Sequence, residues 1–213
     1  KVYYLAWMLL GIAAVLMVVR LWRAGRWPRA ALALCGLVLC ACYYYPLAAA
    51  YTRAGGYRGT PTLDGTAFLG ASSPEEYGAY AWLNAHATSS DRLAEAVGEE
   101  YVPWTNRLSA WTGVPTILGW PGHETQWRGS RVEVRRREPD VEAIYKSGDP
   151  QRVLAILAEY GVPFLYVGPY ELERYDVDKD RLRWYGSFLE TVYARGNVRL
   201  YRGSAAAETG VGP

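Results

Sequence analysis

The side chains best suited to chemistry lie together in residues 119–129, a stretch framed by glycines. Its polar and aromatic side chains include those of Trp120, His123, Glu124, Gln126, Trp127 and Arg128. His123 or Glu124 could transfer a proton, so both are candidate catalytic residues. Gln126 could bind sugar hydroxyls, and the indoles of Trp120 and Trp127 could stack on a pyranose ring. The alternative is a structural corner in which the indoles belong to the core and the polar groups cap one another.

A zinc protease is one chemistry that this stretch argues against. His123-Glu124 begins like the zinc-binding motif of such enzymes, but Trp127 stands where the second histidine would be. His86 is the other histidine of the chain, and two imidazoles leave such a site short of ligands. The sequence therefore predicts no metal site here. Glu124 and Arg128 are four residues apart, so an ion pair on a helix is the structural alternative for both.

Arginines continue beyond this stretch. Arg128, Arg131 and Arg135 recur at spacings of three and four residues and therefore share one face of a helix. Guanidinium groups make paired hydrogen bonds to phosphate oxygens, so Arg128 and Arg131 are candidate substrate-binding residues. Glu133 dilutes the charge, and a merely solvated face is the alternative. The sequence has no Walker loop, dinucleotide fingerprint or Gly-x-Ser-x-Gly elbow, so nucleotide binding and serine hydrolysis have no support.

Acidic residues mark two further places. Asp64, in Leu-Asp-Gly, is a candidate substrate-binding residue, although its simplest role is a turn in which the carboxylate binds its own backbone. Glu95, Glu99 and Glu100 follow an apolar run that predicts a strand. They could therefore lie in a cleft at the end of that strand, with exposed surface as the alternative.

The elements that must position these residues begin with a membrane anchor. Residues 2–19 are 18 uncharged and mostly apolar positions, and residues 30–52 form a second run of 23. About 20 helical residues cross the hydrocarbon core of a bilayer, so both runs predict transmembrane helices. The first run is long for a signal peptide and lacks a small-residue cleavage pattern. Cys35, Cys40 and Cys42 all fall in the second run, as small apolar residues.

The distribution of charge predicts the orientation of this anchor. Residues 20–29 hold four arginines and no acid, so the positive-inside rule places that loop in the cytoplasm. Six of the 23 basic residues precede position 54, which leaves 17 basic against 21 acidic residues in the remainder. We therefore expect a multi-pass protein of the cell membrane, with two transmembrane helices in residues 1–52, a mildly acidic extracytoplasmic domain over 53–203 and a flexible tail at 204–213. For a net-acidic domain outside the cell we expect no nucleic-acid partner.

Strands alternate with helices in the predicted outer domain. Apolar runs predict strands at residues 92–97, 114–118, 164–167 and 198–201, the last at an edge of the sheet. Amphipathic patterns and capping residues predict helices at residues 74–87, 106–111, 123–137, 150–160 and 178–194, with a short further helix that starts at Pro139. The alternation predicts a three-layer α/β domain.

Several motifs together resemble the YYY family of archaeal and Chloroflexi membrane proteins. They are the tyrosine run at 43–45 and the segments at 62–65, 77–83, 107–113, 119–129 and 160–171. The block at 119–129, Gly-Trp-Pro-Gly-His-Glu-Thr-Gln-Trp-Arg-Gly, is the most specific of them. The resemblance covers residues 40–202. Pro46 and Leu47 depart from the glycine expected near the tyrosine run.

This resemblance implies a function. The family consists of large, polytopic proteins with a suggested glycosyltransferase role, so the chain looks like the C-terminal end of a longer protein. Enzymes of that membrane-embedded class take sugar from a polyprenyl-phosphate donor. Their catalytic carboxylate lies in an early outer loop, here expected upstream of Lys1 together with any divalent metal.

The outer domain of such an enzyme would bind the glycan acceptor or the donor phosphate. Its surroundings would be membrane lipid and upstream transmembrane helices of the same protein. The competing hypothesis is a non-catalytic, membrane-anchored module that binds a glycan or a partner protein.

Overall fold

The computed structural model describes residues 2–59, 62–102 and 104–203 of the chain. The predicted tail at 204–213 lies outside these residues. The chain divides into two compact units between Leu63 and Asp64. The helices of the first unit are α1 (Val2–Arg23), α2 (Arg26–Cys42) and α3 (Tyr44–Arg53), and a 3₁₀ turn follows at Gly55–Tyr57.

The first unit contains two apolar segments that could each span a membrane by their length and composition. They run over Tyr3–Arg23 and Arg26–Arg53. Gly25 lies between α1 and α2 and has a φ of 130°, which glycine adopts at little cost and other residues do not. This glycine lets α2 start soon after α1 ends. The second segment is interrupted at Tyr43, between α2 and α3.

The second unit is mainly helical and holds a small mixed sheet. Its helices are α4 (Ala67–Ser72), α5 (Pro74–His86), α6 (Arg107–Thr112), α7 (Pro121–Arg128), α8 (Val132–Lys146), α9 (Pro150–Glu159), α10 (Pro169–Tyr175) and α11 (Lys179–Tyr185). Its strands are β1 (Leu93–Ala94), β2 (Phe164–Val167), β3 (Glu190–Arg195) and β4 (Val198–Arg202). Among the described residues, these strands form one sheet in the order β1-β2-β4-β3.

Three parallel segments end at the same edge of this sheet. β1 pairs in parallel with β2, so that Leu93 lies opposite Phe164. On the other side of β1, Leu93 forms a parallel bridge with Thr116. β1 therefore lies between the segment at Thr116 and β2, although both follow it in the chain. The strand order thus reverses at β1, which is a topological switch point. In open α/β sheets, ligands bind beyond the carboxyl ends of the strands at this switch point.

Alternate residues of β2 belong to two separate hydrophobic clusters. Phe164 and Tyr166 pack in a cluster with Ala79 and Leu83 of α5 and Leu108 of α6. Leu165 and Val167 belong to a second cluster, which includes buried residues of α8, α9, α10 and α11. This alternation follows from the pleat of a strand, whose successive side chains point to opposite faces. The two faces of the sheet are thus both covered by apolar side chains.

Several predicted elements are confirmed. Residues 164–167 form β2 as predicted. The helices predicted at 74–87 and 150–160 correspond to α5 and α9. The helix predicted at 106–111 corresponds to α6. The segments at 92–97 and 114–118 are shorter than predicted: the first contains the two-residue β1, and the second contributes the single bridge at Thr116.

Other predictions are wrong at the ends of helices. The helix predicted over 123–137 is two helices, because Gly129 ends α7 in the left-handed region at φ 70°. Pro139 lies inside α8 rather than at a helix start. The helix predicted over 178–194 ends at Tyr185, and the chain turns and continues as β3. β4 is not an edge strand, because β3 pairs along its outer side.

Candidate functional site

A polar cleft of about 470 Å³ lies at the carboxyl ends of the parallel segments. The loop after β1, the start of α7 and helices α8 and α10 supply its walls. The charged residues that line it are Glu99, Glu100, Arg131, Glu138 and Arg174. Carboxylates and guanidinium groups therefore face the same space. Such a lining can accept hydrogen bonds from hydroxyl groups and donate them to anionic oxygens.

Two glutamates of the loop after β1 hold the walls of the cleft together. The amide of Gly122 donates a hydrogen bond to the Glu100 carboxylate, and this bond holds the pKa of Glu100 below its usual value. The Glu99 carboxylate accepts a hydrogen bond from the Arg174 guanidinium at 3.3 Å and another from the Tyr170 hydroxyl at 3.3 Å. The loop is thereby connected to both α7 and α10.

The loop beyond these glutamates contains two residues in the left-handed backbone region. Tyr101 has a φ of 64° and Asn106 a φ of 52°. Asparagine tolerates this region, whereas a tyrosine there costs on the order of 1 kcal/mol or more. Such strain is concentrated at functional sites in proteins, and both residues flank the cleft.

Asn106 is buried under the cleft. Its amide nitrogen donates to the carbonyl of Ala96 at 2.8 Å. Its amide oxygen has no hydrogen-bond partner among the described residues. Gly98 lies directly against this amide and against the indole of Trp120, which leaves no space for a Cβ atom at position 98. The floor of the cleft therefore requires a glycine.

Three aromatic rings meet beside the cleft. The ring centroid of His123 lies 4.9 Å from that of Tyr101 and 5.0 Å from that of Trp120. Tyr101 is 79% exposed, so one side of this cluster faces solvent. Nδ1 of His123 is buried and has no partner within the part of the chain that the structure describes. The structure thus brings together the predicted residues Trp120 and His123 and adds Tyr101.

Glu124 and Arg128 contact each other on α7. One carboxylate oxygen of Glu124 accepts the amide hydrogen of Gly119 at 2.9 Å. The other lies 3.2 Å from Nε of Arg128 in an i, i+4 ion pair. Glu124 thus has the structural role given above as the alternative to catalysis, in which it caps the backbone and pairs with Arg128. The carboxylate that is a candidate proton acceptor is therefore already engaged on both oxygens.

The remaining candidate residues are dispersed. Arg131 lines the cleft. Gln126 and Trp127 are exposed on α7, and the Trp127 side chain is 84% accessible. Asp64 does not line the cleft; its carboxylate accepts hydrogen bonds from the hydroxyl and the amide of Thr66, which lower its pKa. Asp64 thus forms the turn that is its simplest predicted role.

Two buried carboxylates lie beneath the cleft and connect the ends of the strands. Glu95 accepts hydrogen bonds from the amides of Leu108 at 3.2 Å and Ser109 at 3.3 Å. Burial raises the pKa of Glu95 to about 8. Glu171 accepts the amide hydrogens of Ala96 and Gly168, both at 2.9 Å, and burial raises its pKa as well. Of the three glutamates predicted at the strand end, Glu95 supports the backbone, whereas Glu99 and Glu100 line the cleft.

Within residues 2–59, 62–102 and 104–203, no three His, Cys, Asp or Glu side chains are grouped to hold a metal. Arg174 and Tyr101 are site residues that sequence reasoning missed. The carboxyl ends of parallel strands lie at the same edge of a sheet, so the segment after β2, which contains Arg174, could have been predicted near Glu99. The sequence around Tyr101 carries no such signal.

The second unit is thus a mainly helical domain with a small mixed sheet and a polar cleft at the switch point of that sheet. The chain is similar to the vitamin B12-binding proteins of Yersinia pestis (strain Pestoides F) and Yersinia pseudotuberculosis serotype O:1b (strain IP 31758). Each is 28% identical over 108 residues, which are 50% of this chain and 37% of the relative. The alignment thus spans well under half the length of these curated relatives. No protein-family model and no solved structure gives a significant match.

Proposed function

We propose that the chain is the C-terminal, membrane-anchored part of a glycosyltransferase that uses a polyprenyl-phosphate-linked sugar. In this proposal the α/β domain lies outside the cytoplasm, has three layers, and binds the glycan acceptor or the donor phosphate in its cleft. The observation that carries the proposal is the position of the cleft at the switch point, where α/β domains bind ligands. The resemblance to the YYY family supports the choice of reaction.

The cleft is lined by three carboxylates and two guanidinium groups, which offer acceptors for a sugar and donors for its phosphate. Arg131 and Arg174 supply guanidinium groups for phosphate oxygens. Glu99 and Glu138 supply acceptors for sugar hydroxyls. The exposed ring of Tyr101, held against His123, offers an apolar face on which a pyranose can stack. The proposed binding residues are therefore Arg131, Arg174, Glu99, Glu138 and Tyr101.

In this proposal, the catalytic carboxylate belongs to a segment upstream of this chain, and the cleft binds a substrate. Glu124 caps the backbone at Gly119 and pairs with Arg128, so its engagement disfavours it as the base. Nδ1 of His123 is buried, and the residue is not among those described as lining the cleft, so its ring acts in this proposal by supporting Tyr101 and Trp120. Transfer activity of the full-length enzyme should therefore survive Glu124→Gln and fall in His123→Asn.

Ligand binding tests the proposal directly. The full chain, in phosphatidylcholine nanodiscs, is titrated calorimetrically with glucose 1-phosphate and with farnesyl phosphate. Arg131→Gln should weaken binding about tenfold, because one charge-assisted hydrogen bond is lost. Arg135→Gln is the matched control, since Arg135 is exposed on the same helix and does not line the cleft. Equal affinities for wild type and Arg131→Gln would contradict the proposed site.

The second candidate function is a non-catalytic, membrane-anchored binding module. The similarity to proteins that are named as vitamin B12-binding favours it, as does the engagement of Glu124 in the backbone. Cyanocobalamin is therefore added to the titration as a third probe. Binding of cyanocobalamin that Arg131→Gln weakens, with no response to either phosphate probe, would favour the module over the transferase.

A further inference from the structure

We propose a second binding site, for a diphosphate-bearing ligand, in the groove between α11 and the β3–β4 hairpin. The groove has a volume of about 430 Å³. The described residues that line it differ from those of the cleft at the switch point, so the two sites are separate. The proposal does not rest on the function proposed above.

Three cationic side chains converge on this groove from two elements. Lys179 and Arg183 lie four residues apart on α11 and share one face of that helix. Arg199 comes from β4, two residues before Tyr201, so both side chains point to the same face of the sheet. The Tyr201 hydroxyl donates to the carbonyl of Leu182 at 2.8 Å, which fixes that face against α11.

Positive charge dominates the groove, although the carboxylate of Glu75 lies against Gly196 at its wall. None of the described residues that line it is acidic. Asp180 pairs with Arg183, but both side chains are 77% exposed, and a pair this exposed contributes little. Arg199 donates to the carbonyls of Gly196 at 2.7 Å and Val198 at 2.8 Å. These bonds position the guanidinium group and leave its charge in place.

The donors of the groove match the oxygens of a diphosphate. Lysine and arginine side chains are the usual ligands of phosphate groups, and arginine binds two of their oxygens at once. Thr191 and Asn197 add a hydroxyl and an amide at the walls. A volume of about 430 Å³ is in the range of small-molecule sites and exceeds what one phosphate group fills. A free metabolite and a lipid headgroup share this chemistry.

The test uses inorganic pyrophosphate and the full chain in phosphatidylcholine nanodiscs, with binding measured by calorimetry. Lys179→Gln and Arg183→Gln should each weaken binding about tenfold. Asn197→Asp, which adds a negative charge without a change of shape, should weaken it as well. Arg152→Gln, at an exposed position of α9 outside the groove, is the control and should bind as the wild type does. Circular dichroism verifies that each variant is folded.

Two outcomes would overturn the proposal: no binding of pyrophosphate, or equal binding by wild type and the Lys179→Gln/Arg183→Gln double variant. Arg131→Gln separates the two sites, since it should leave pyrophosphate binding in the groove unchanged. Competition then identifies the source of the ligand. Stronger displacement by farnesyl diphosphate than by adenosine diphosphate assigns a lipid headgroup, and the reverse order assigns a free metabolite.

Discussion

At the scale of single residues, Glu124 combines a side chain suited to catalysis with contacts that serve the backbone. Glu124→Ala removes the acceptor of the Gly119 amide and should lower the free energy of unfolding by about 1–2 kcal/mol. Glu124→Gln keeps an oxygen for that amide and should cost clearly less. Urea denaturation of the detergent-solubilised chain, followed by tryptophan fluorescence, measures both. Equal losses in the two variants would argue against the capping role.

The buried carboxyl of Glu95 should make stability depend on pH. Its pKa is about 8 in the folded chain, against an ordinary value of 4.5. As pH rises, the unfolded chain therefore releases this proton at a lower pH than the folded chain does. Glu95 thus makes the free energy of unfolding fall between pH 4.5 and about pH 8, and adds no further change above that range.

Glu95→Gln tests this pH dependence, because glutamine resembles the protonated form. The variant should gain stability relative to wild type as pH rises through that window. Denaturation at pH 5 and pH 8 is the measurement, and the difference between the two proteins removes the similar contribution of Glu171. A constant difference at both pH values would show that Glu95 does not titrate as described.

Gly98 is required by its close neighbours. A methyl group at this position would meet the Asn106 amide and the Trp120 indole, both in a buried part of the unit. Gly98→Ala should therefore lower the free energy of unfolding by about 1–3 kcal/mol. Gly148→Ala is the control, since no heavy atom of the described residues lies within 4 Å of a Cβ atom there. A thermal melt of both variants distinguishes packing from a general effect of alanine.

At the scale of elements, α8 carries a destabilising proline. Pro139 lies in its interior, where it cannot donate to the carbonyl of Arg135. Pro139→Ala restores that donor and should raise the free energy of unfolding by about 1–3 kcal/mol. Pro150, in the first turn of α9, is the matched control: proline is favoured there, and Pro150→Ala should give no gain. A loss of stability in Pro139→Ala would mean that α8 needs the proline.

The sequence predicted elements well where capping residues and apolar periodicity agreed. α9 is bounded by Asp149, whose carboxylate accepts the amide hydrogen of Gln151, and by Gly161 in the left-handed region. Prediction failed after α11 for a physical reason. Leu182, Tyr185 and Leu189 are all buried and follow helical spacing, which favours one long helix. The helix instead ends at Tyr185, and a turn that starts at Gly186 buries Leu189.

The site could be predicted in part. Local patterns predicted the polar stretch at residues 119–129 and, separately, a group of glutamates at the end of a strand, but not that both line one cleft. Arg174 comes from a segment 75 residues away from Glu99, and only the parallel pairing of β1 with β2 brings the two into contact. The left-handed backbone of Tyr101 could not be predicted, because tyrosine is rarely found there.

At the scale of the whole molecule, the proposed orientation in the membrane can be measured. Cys35, Cys40 and Cys42 are first replaced by alanine, and one cysteine is then introduced at exposed Ser90 or at Ala24, between α1 and α2. A membrane-impermeant maleimide should label Ser90→Cys in intact cells, and should label Ala24→Cys after lysis only. The opposite pattern would invert the proposed orientation.

The shortness of β1 has a consequence for backbone dynamics. Beyond Ala94, the amide of Ala96 is held by the carboxylate of Glu171 instead of by a neighbouring strand. A carboxylate loses acceptor strength when it takes up a proton, unlike a backbone carbonyl. Amide hydrogen exchange at Ala96 should therefore report the protonation of Glu171. Because burial raises the pKa of Glu171, local opening of this edge of the sheet is coupled to proton release, and a ligand that orders the edge would slow exchange there first.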